Sequence, residues 1–380
     1  MELRLSSEQA QWQSRVRQFA ETILVSHVVS MELEGAFPRE LLKEMRASGF
    51  MGIPIPKQWG GAGADFISYI LAIHEISKVS AAAGVILSVH TSVGTLPILH
   101  YGTDEQRENY VQKLASGEAL GAFALTEPHA GSDASSIRTM ATLEGDHYRL
   151  TGSKIFITNA GVADTYIIFA VTNAVQGARG ISAFIIERDS PGFSIGKAEK
   201  KMGLHGSNTC EITLDQVKIP VTQRLGREGE GFVIAMGTLD GGRIGIAAQA
   251  LGIAQAALEL VDGRDRSKSD DRGRRRRRSP SDLDLIAELM TQVEAARLLV
   301  YRAASLRQMG LPCTKESSMA KMFASDTAMR VTGEVIRILG RQGCTDHFPA
   351  ERLFRDAKVT QIYEGTNEIH RIVISGSMLR

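Results

Sequence analysis

The chain has 380 residues, enough at about 150 residues per domain for two or three domains with sizeable cores. With 43% hydrophobic and 23% charged residues it has an ordinary globular composition, and 44 Lys+Arg against 43 Asp+Glu exclude a globally basic nucleic-acid binder. Cys210, Cys313 and Cys344 are too few and too scattered for a disulfide framework or a CxxC metal pair, so no metal is expected and a reducing cytoplasm is the expected location. No apolar run approaches the roughly 18 residues that span a bilayer. The opening MELRLSSEQAQWQ lacks the apolar block of a signal peptide.

Residues 1–120 read as an N-terminal α-helical domain. Trp12, Val16, Phe19 and Ile23 recur at spacings of 4, 3 and 4, one buried helical face. Leu41 and Met45 continue the pattern. GFMGIPIPKQWGGAGAD must be loop and turn, and another apolar helix is expected from about Phe66 to Ser77. Near Gly121 the period changes to two. YIIFAV and ISAFIIE are short β-rich runs punctuated by TGSK, TNAG, VQGARG and DSPG, so residues 121–231 read as a small, β-barrel-like middle domain. Helices return over 232–380. Ile246, Ala250, Ile253, Ala257 and Leu260 mark one, Ile286 to Ala303 a second, and a third is expected from about Thr314 to Leu339. The fold class is mainly α with a central β-domain and a C-terminal four-helix bundle. Alternating βα units are absent. Residues 263–278 do not fit. They hold nine basic and three acidic residues, no apolar one, and end in Arg274 to Arg278, so solvation or disorder is expected.

No nicotinamide-type GxGxxG, P-loop, GxSxG elbow or HExxH is present. Three segments carry other chemistry. FALTEPHAGSD, Phe123 to Asp133, is either a polar loop or a cradle for a flat heterocycle bearing phosphates. KIFITNAG, Lys154 to Gly161, is a strand ending in a turn. Near the C-terminus, RDAKVTQIYEGTNEIHR places Glu364 beside Ile362 and Tyr363. A lone Glu is usually a solvated charge. In an apolar setting its proton affinity rises, and it becomes able to take a proton from carbon.

Taken together, in this order and at these separations, the segments resemble the acyl-CoA dehydrogenase family over nearly the whole chain, most closely its short-chain, butyryl-type branch. TLDGGRIGIAAQALGIAQAALE, TQVEAARLLVYRAA and KESSMAKMFASDTAMR add to the resemblance. It implies FAD-dependent α,β-dehydrogenation of an acyl-CoA thioester to a trans-2-enoyl-CoA. Electrons would pass to an electron-transferring flavoprotein, in a homotetramer built as a dimer of dimers. Glu364 would be the base. The family's alternative base position, used by isovaleryl and long-chain types, is Gly242 here. By the same resemblance Phe123, Leu125, Thr126, Gly131 and Ser132 would line the flavin, with Phe156, Ile157 and Thr158 behind its ring. Thr366, Asn367 and Glu368 would lie near the ribose and pyrophosphate. Ser132, Asp240, Arg243 and Gly365 would meet the acyl-CoA, the missing side chain of Gly365 making room for the thioester. Ser88 to Gly102 would form part of the acyl pocket.

The chain also departs from the family. Residues 263–278 replace an Arg-x-x-Phe-Gly segment that reaches FAD across a subunit interface, at nearly preserved length, as a compensated reading-frame slip would do. In RILGRQGCT, Arg337 stands for a Gln and Arg341 for the Gly after Gly340. This loop, with Arg337 and Gly340, would contact a neighbouring subunit's FAD. Weakened FAD retention and a weakened oligomer are therefore expected. The alternatives are a branched-chain acyl-CoA dehydrogenase, a flavin-deficient paralogue that binds acyl-CoA without turnover, and an anionic-surface or nucleic-acid binder using Arg274 to Arg278. For the last, no interleaved aromatic gives support.

Overall fold

A computed structural model describes residues 4–36, 39–261, 279–346 and 348–379. The arginine-rich stretch 263–278 lies outside the described residues. The chain opens with α1 (Ser7–Phe19), capped by Ser6, whose hydroxyl accepts from the Gln9 N–H while the Gln9 side chain accepts from the Ser6 N–H. It runs through a π-helical turn, Ala20–Leu24, into α2 (Val25–Glu34). α3 (Arg39–Ala47) buries Leu41 and Met45. After the Gly/Pro-rich passage comes α4 (Phe66–Val79), capped by Asp65.

α5 (Ala81–Ser88), a π-helical segment Val89–Thr95 and α6 (Leu96–Tyr101) form one continuous helix. This corrects the expectation from apolar runs. Ala81–Tyr101 is 21 residues long with a mean hydropathy of 1.6, long and apolar enough to span a bilayer, yet 94% buried. His90, Ser92 and Thr95 interrupt the run in sequence but are satisfied inside, whereas the buried Thr91 Oγ1 has no partner. His90 Nε2 lies 3.1 Å from the Leu114 carbonyl, and the Gly121 N–H donates to Nδ1 at 3.1 Å. It is the core helix of a globular unit. α7 (Asp104–Gln106), a π turn Arg107–Val111 and α8 (Gln112–Ser116) complete this region.

The middle region is one eight-stranded sheet: β1 (Gly121–Ala124), β2 (Met140–Glu144), β3 (His147–Thr158), β4 (Thr165–Val171), β5 (Ile181–Glu187), β6 (Phe193–Ala198), β7 (Thr209–Pro220) and β8 (Arg224–Leu225). Its order is β6-β7-β3-β2-β4-β5-β8, with β1 parallel to β4. Every residue of β4 is buried. Ile167, Phe169 and Val171 face the helices, and Tyr166, Ile168 and Ala170 face the sheet's own interior. Burial on both faces is why YIIFAV reads as a continuous apolar run.

Three long helices follow, α9 (Gly231–Glu259), α10 (Pro280–Gln308) and α11 (Thr314–Leu339), then α12 (Ala350–Val359) and α13 (Asn367–Gly376). The predicted stripes are the buried ones: Ile246, Ala250, Ile253 and Ala257 on α9, and Ile286, Leu289, Val293, Ala296 and Val300 on α10. α4 packs on α9, joining the first helices to the last in one core.

The β-region is tied to both helical regions by backbone. A Cβ on Gly94 would meet Gly121 at 3.0 Å, and a Cβ on Gly121 would meet Gly94 at 3.0 Å. The Asn159 amide donates to Ile86 O and Gly121 O, each at 3.3 Å. On the other side the Leu204 N–H donates to Asp356 on α12 at 2.5 Å, and Arg355 donates to Met202 O at 3.2 Å. The sheet therefore sits in fixed register against the helix that leads to Glu364.

Candidate active site

α12 stops at Val359 and α13 begins after its cap, Thr366, whose hydroxyl accepts from the Ile369 N–H at 3.4 Å. The turn between them holds Glu364 at φ +55° and Gly365 at φ +96°. Left-handed backbone is costly for a glutamate, so something must hold it. Beneath it Lys321, fully buried on α11, donates to Gly365 O at 2.7 Å and to Asn367 Oδ1 at 3.1 Å. Asn367 is itself pinned, donating to Ser325 Oγ at 2.9 Å and Asp326 Oδ1 at 2.8 Å. Tyr363 donates to Gln249 Oε1 on α9.

The carboxyl of Glu364 points inward. Its Oε2 is buried and has no hydrogen-bond partner. Burial pushes its pKa up to about 7, against the opposing charges of Arg243 and Lys321. Burial pulls Lys321 down to about 7. The carboxylate occupies space that another residue leaves open. A Cβ on Gly242 would stand 2.6 Å from Oε2 and 2.8 Å from Cδ and Oε1. Next to Gly242 on α9, Arg243 pairs with Asp240 at 3.1 Å, both buried, and Asp240 also accepts from Thr314 Oγ1 at 2.5 Å. Arg243 Nε and both ring nitrogens of His370 are likewise buried without partners. An enclosed carboxyl near neutrality, beside buried donors, can exchange a proton with a bound carbon acid.

At the β-region the Ile155 N–H donates to Thr126 O at 2.9 Å, and Lys154, also fully buried, donates to Leu125 O at 3.1 Å and Glu127 Oε1 at 2.7 Å. The FALTEP segment and the end of β3 thus lie side by side. A register shift between Lys154 and Ile157 makes a bulge there, and it turns Phe156 outward at φ +57° with 61% of its surface exposed.

Three domain profiles of one family cover the chain: acyl-CoA dehydrogenase N-terminal over 6–118, middle over 122–217 and C-terminal over 229–379. The chain belongs to the acyl-CoA dehydrogenase family. It is 54% identical to an acyl-CoA dehydrogenase of Bacillus subtilis, covering 99% of each chain. It is 48% identical to a short-chain specific acyl-CoA dehydrogenase of Clostridium acetobutylicum, covering all of both. The structure of butyryl-CoA dehydrogenase from Megasphaera elsdenii matches with a TM-score of 0.95 at 44% identity over the full length of both chains. An acryloyl-CoA reductase (NADH) of Anaerotignum propionicum is also 43% identical, over 100% of this chain and 96% of its own. As a family member the protein is an oxidoreductase acting on acyl-CoA, with FAD as its cofactor.

Within this acyl-CoA dehydrogenase the expected site residues separate into groups. Glu364, Asp240, Arg243 and Gly365 come together around α9, α11 and the turn before α13. Phe123, Thr126 and Thr158 are half-buried and Gly131 and Ser132 exposed along the loop beside β3. Leu125 and Ile157 bury their side chains in the two cores flanking the sheet. Asn367 faces inward to Lys321 and Ser325 because the turn needs it there. At Gly365 the missing side chain answers to His370, whose Cε1 would be 3.2 Å from a Cβ. Arg337 is exposed and paired with Glu334 at 2.7 Å, and Gly340 sits at φ +61° with open space around it. Lys321 and His370 carried no expected role. The sign for Lys321 is its place on α11 among Ser317, Ala320, Ala324 and Ala328, a stripe of small buried residues where a lysine is out of character.

Proposed function

We propose that the protein catalyses α,β-dehydrogenation of short-chain acyl-CoA thioesters, with Glu364 removing the α-proton. The observation that carries this reading is the Glu364 carboxyl, its Oε2 buried and unpartnered and its pKa pushed up to about 7, in the space that Gly242 leaves open. Near pH 7 such a group is partly ionised and strong enough to accept a proton from a polarised α-carbon. The Glu364 backbone N–H is the thioester's oxyanion donor in this reading.

The residues fit the cofactor. The outward-turned Phe156 gives the flat face for a heterocyclic ring, with Thr126 beside it and Phe123 and Thr158 nearby. Gly131 and Ser132 leave an open loop, and the N-terminus of α13 suits pyrophosphate, with Thr366 and Glu368 offering acceptors to ribose hydroxyls. FAD supplies the hydride acceptor for the β-carbon. Asp240 and Arg243 would orient the thioester's CoA side.

Partners in this reading are an electron-transferring flavoprotein and copies of the chain in a tetramer, in the cytoplasm. The reverse reaction, reduction of a 2-enoyl-CoA, uses the same geometry, because a carboxyl half-protonated near pH 7 can also deliver the α-proton. The test is anaerobic mixing with butyryl-CoA while following flavin bleaching, beside Glu364→Gln. Bleaching in the wild type and its loss in the variant support the assignment. Equal rates refute it.

A further inference from the structure

We propose that Lys321 is the positioning residue of this site: clamped on the Gly365 carbonyl, its ammonium holds the left-handed catalytic turn and supplies the buried counter-charge for Glu364. The proposal rests on Glu364 being the base. Lys321 does not hydrogen-bond to the carboxyl. It reaches the backbone one residue on, at 2.7 Å, and its second bond goes to Asn367 Oδ1 at 3.1 Å. It thus fixes the C-terminal side of the turn that holds Glu364 and Gly365 at positive φ, with no surface of its own.

Burying an ammonium in a stripe of small residues is expensive, and a carbonyl plus an amide compensate only in part. The charge is useful because of what faces it. Glu364 is opposed by Arg243 from α9 and by Lys321 from α11, with Tyr69 of α4 and Tyr363 of its own turn as neutral neighbours. Lys321 in turn faces Glu364, Asp326 on its own helix, Arg243, and Glu368 on α13. Arg243 is already matched by Asp240. His370, packed on Gly365, is held neutral by burial and by the charges of Lys321 and Arg243, its pKa drawn down to about 3. Arg243 and Lys321 both face Glu364, and Lys321 is the one of the two that also holds the turn, through Gly365 O.

The experiment titrates Glu364 itself in holoenzyme labelled with ¹³C-glutamate, following by infrared difference spectroscopy the carboxyl band that Glu364→Gln removes. Lys321→Met should move its midpoint up by about one unit, because the ionised form loses a partner. Lys321→Arg should move it down, since guanidinium stays charged throughout. Flavin reduction by Lys321→Met should be about fivefold slower at pH 7 and recover towards pH 9. Midpoints unmoved in both variants, or loss of fold in both, would reduce Lys321 to a folding residue and overturn the proposal. Wild type that titrates as described but is not bleached by butyryl-CoA would sink the dehydrogenase assignment while leaving the Lys321–Glu364 coupling standing.

Discussion

Gly242→Ala separates stability from chemistry at one atom. Position 242 lies inside α9, where alanine is favoured over glycine by about 0.5–1 kcal/mol. The atoms a methyl group would meet are the tip of the Glu364 side chain, at 2.6 and 2.8 Å, and no backbone is among the three nearest. An ordinary contact begins near 3.4 Å, so the carboxylate must retreat by roughly 0.8 Å while the helix stays put. Misplacing a reacting group by about 1 Å costs on the order of 10²-fold in rate. The variant should therefore melt at the same temperature as wild type or about 2 °C higher, retain flavin, and reduce it with butyryl-CoA about a hundredfold more slowly. Circular dichroism melts and stopped-flow absorbance measure the two halves. Full speed with unchanged melting would show that the carboxylate does not work from the place the structure gives it.

The same carboxyl makes stability depend on pH. Its folded pKa lies above its unfolded value, so its contribution is complete below about pH 4.5 and is lost as pH rises through about 7. Glu364→Gln should escape that loss, gaining on the order of 2–3 kcal/mol over wild type between pH 5 and pH 8 in urea unfolding; a constant difference across pH would contradict this. Turnover should fall below pH 7 as the base protonates, and a rate flat from pH 5.5 to 8 would speak against Glu364. Lys154→Met leaves the buried Glu127 carboxylate with Thr139, backbone N–H donors and His129 Nε2 at 3.4 Å but without its buried ammonium, and should cost about 3 kcal/mol in the same assay; a neutral substitution would show that the remaining partners suffice. Flavin per subunit should drop below one on dilution and dialysis, because residues 263–278 and Arg337 depart from the pattern that the resemblance would have reach a neighbouring subunit's FAD. Full occupancy after dialysis would refute that, and reading the gene in its other frames decides whether the arginine-rich stretch began as a slip.

The long helices were legible because their buried stripes follow the helical period without interruption. α11 spans Thr314–Leu339 as its pattern implies. Glu364 was legible only as part of YEGTNEIH, since nothing local distinguishes it from a surface charge. What the sequence could not show is what three-dimensional packing creates. The π-helical segment Val89–Thr95 has no compositional sign, and there Tyr69 and Ser92 both donate to the Ser88 carbonyl, at 3.0 and 2.6 Å. The inward turn of Ile157 and the outward turn of Phe156 depend on one bulge that breaks the period of two. Lys321 stands 43 positions before Glu364, and only the packing of α11 beneath the turn brings them together.

The meeting of Gly94 and Gly121 bears on how such an enzyme can diversify. Where two main chains touch with nothing between them, the gap between helical and sheet regions is set by bond lengths and atomic radii, and no choice of side chain can widen it gently. A new substrate must then be accommodated by trimming or swelling the walls of the chamber, because its hinge line is already closed.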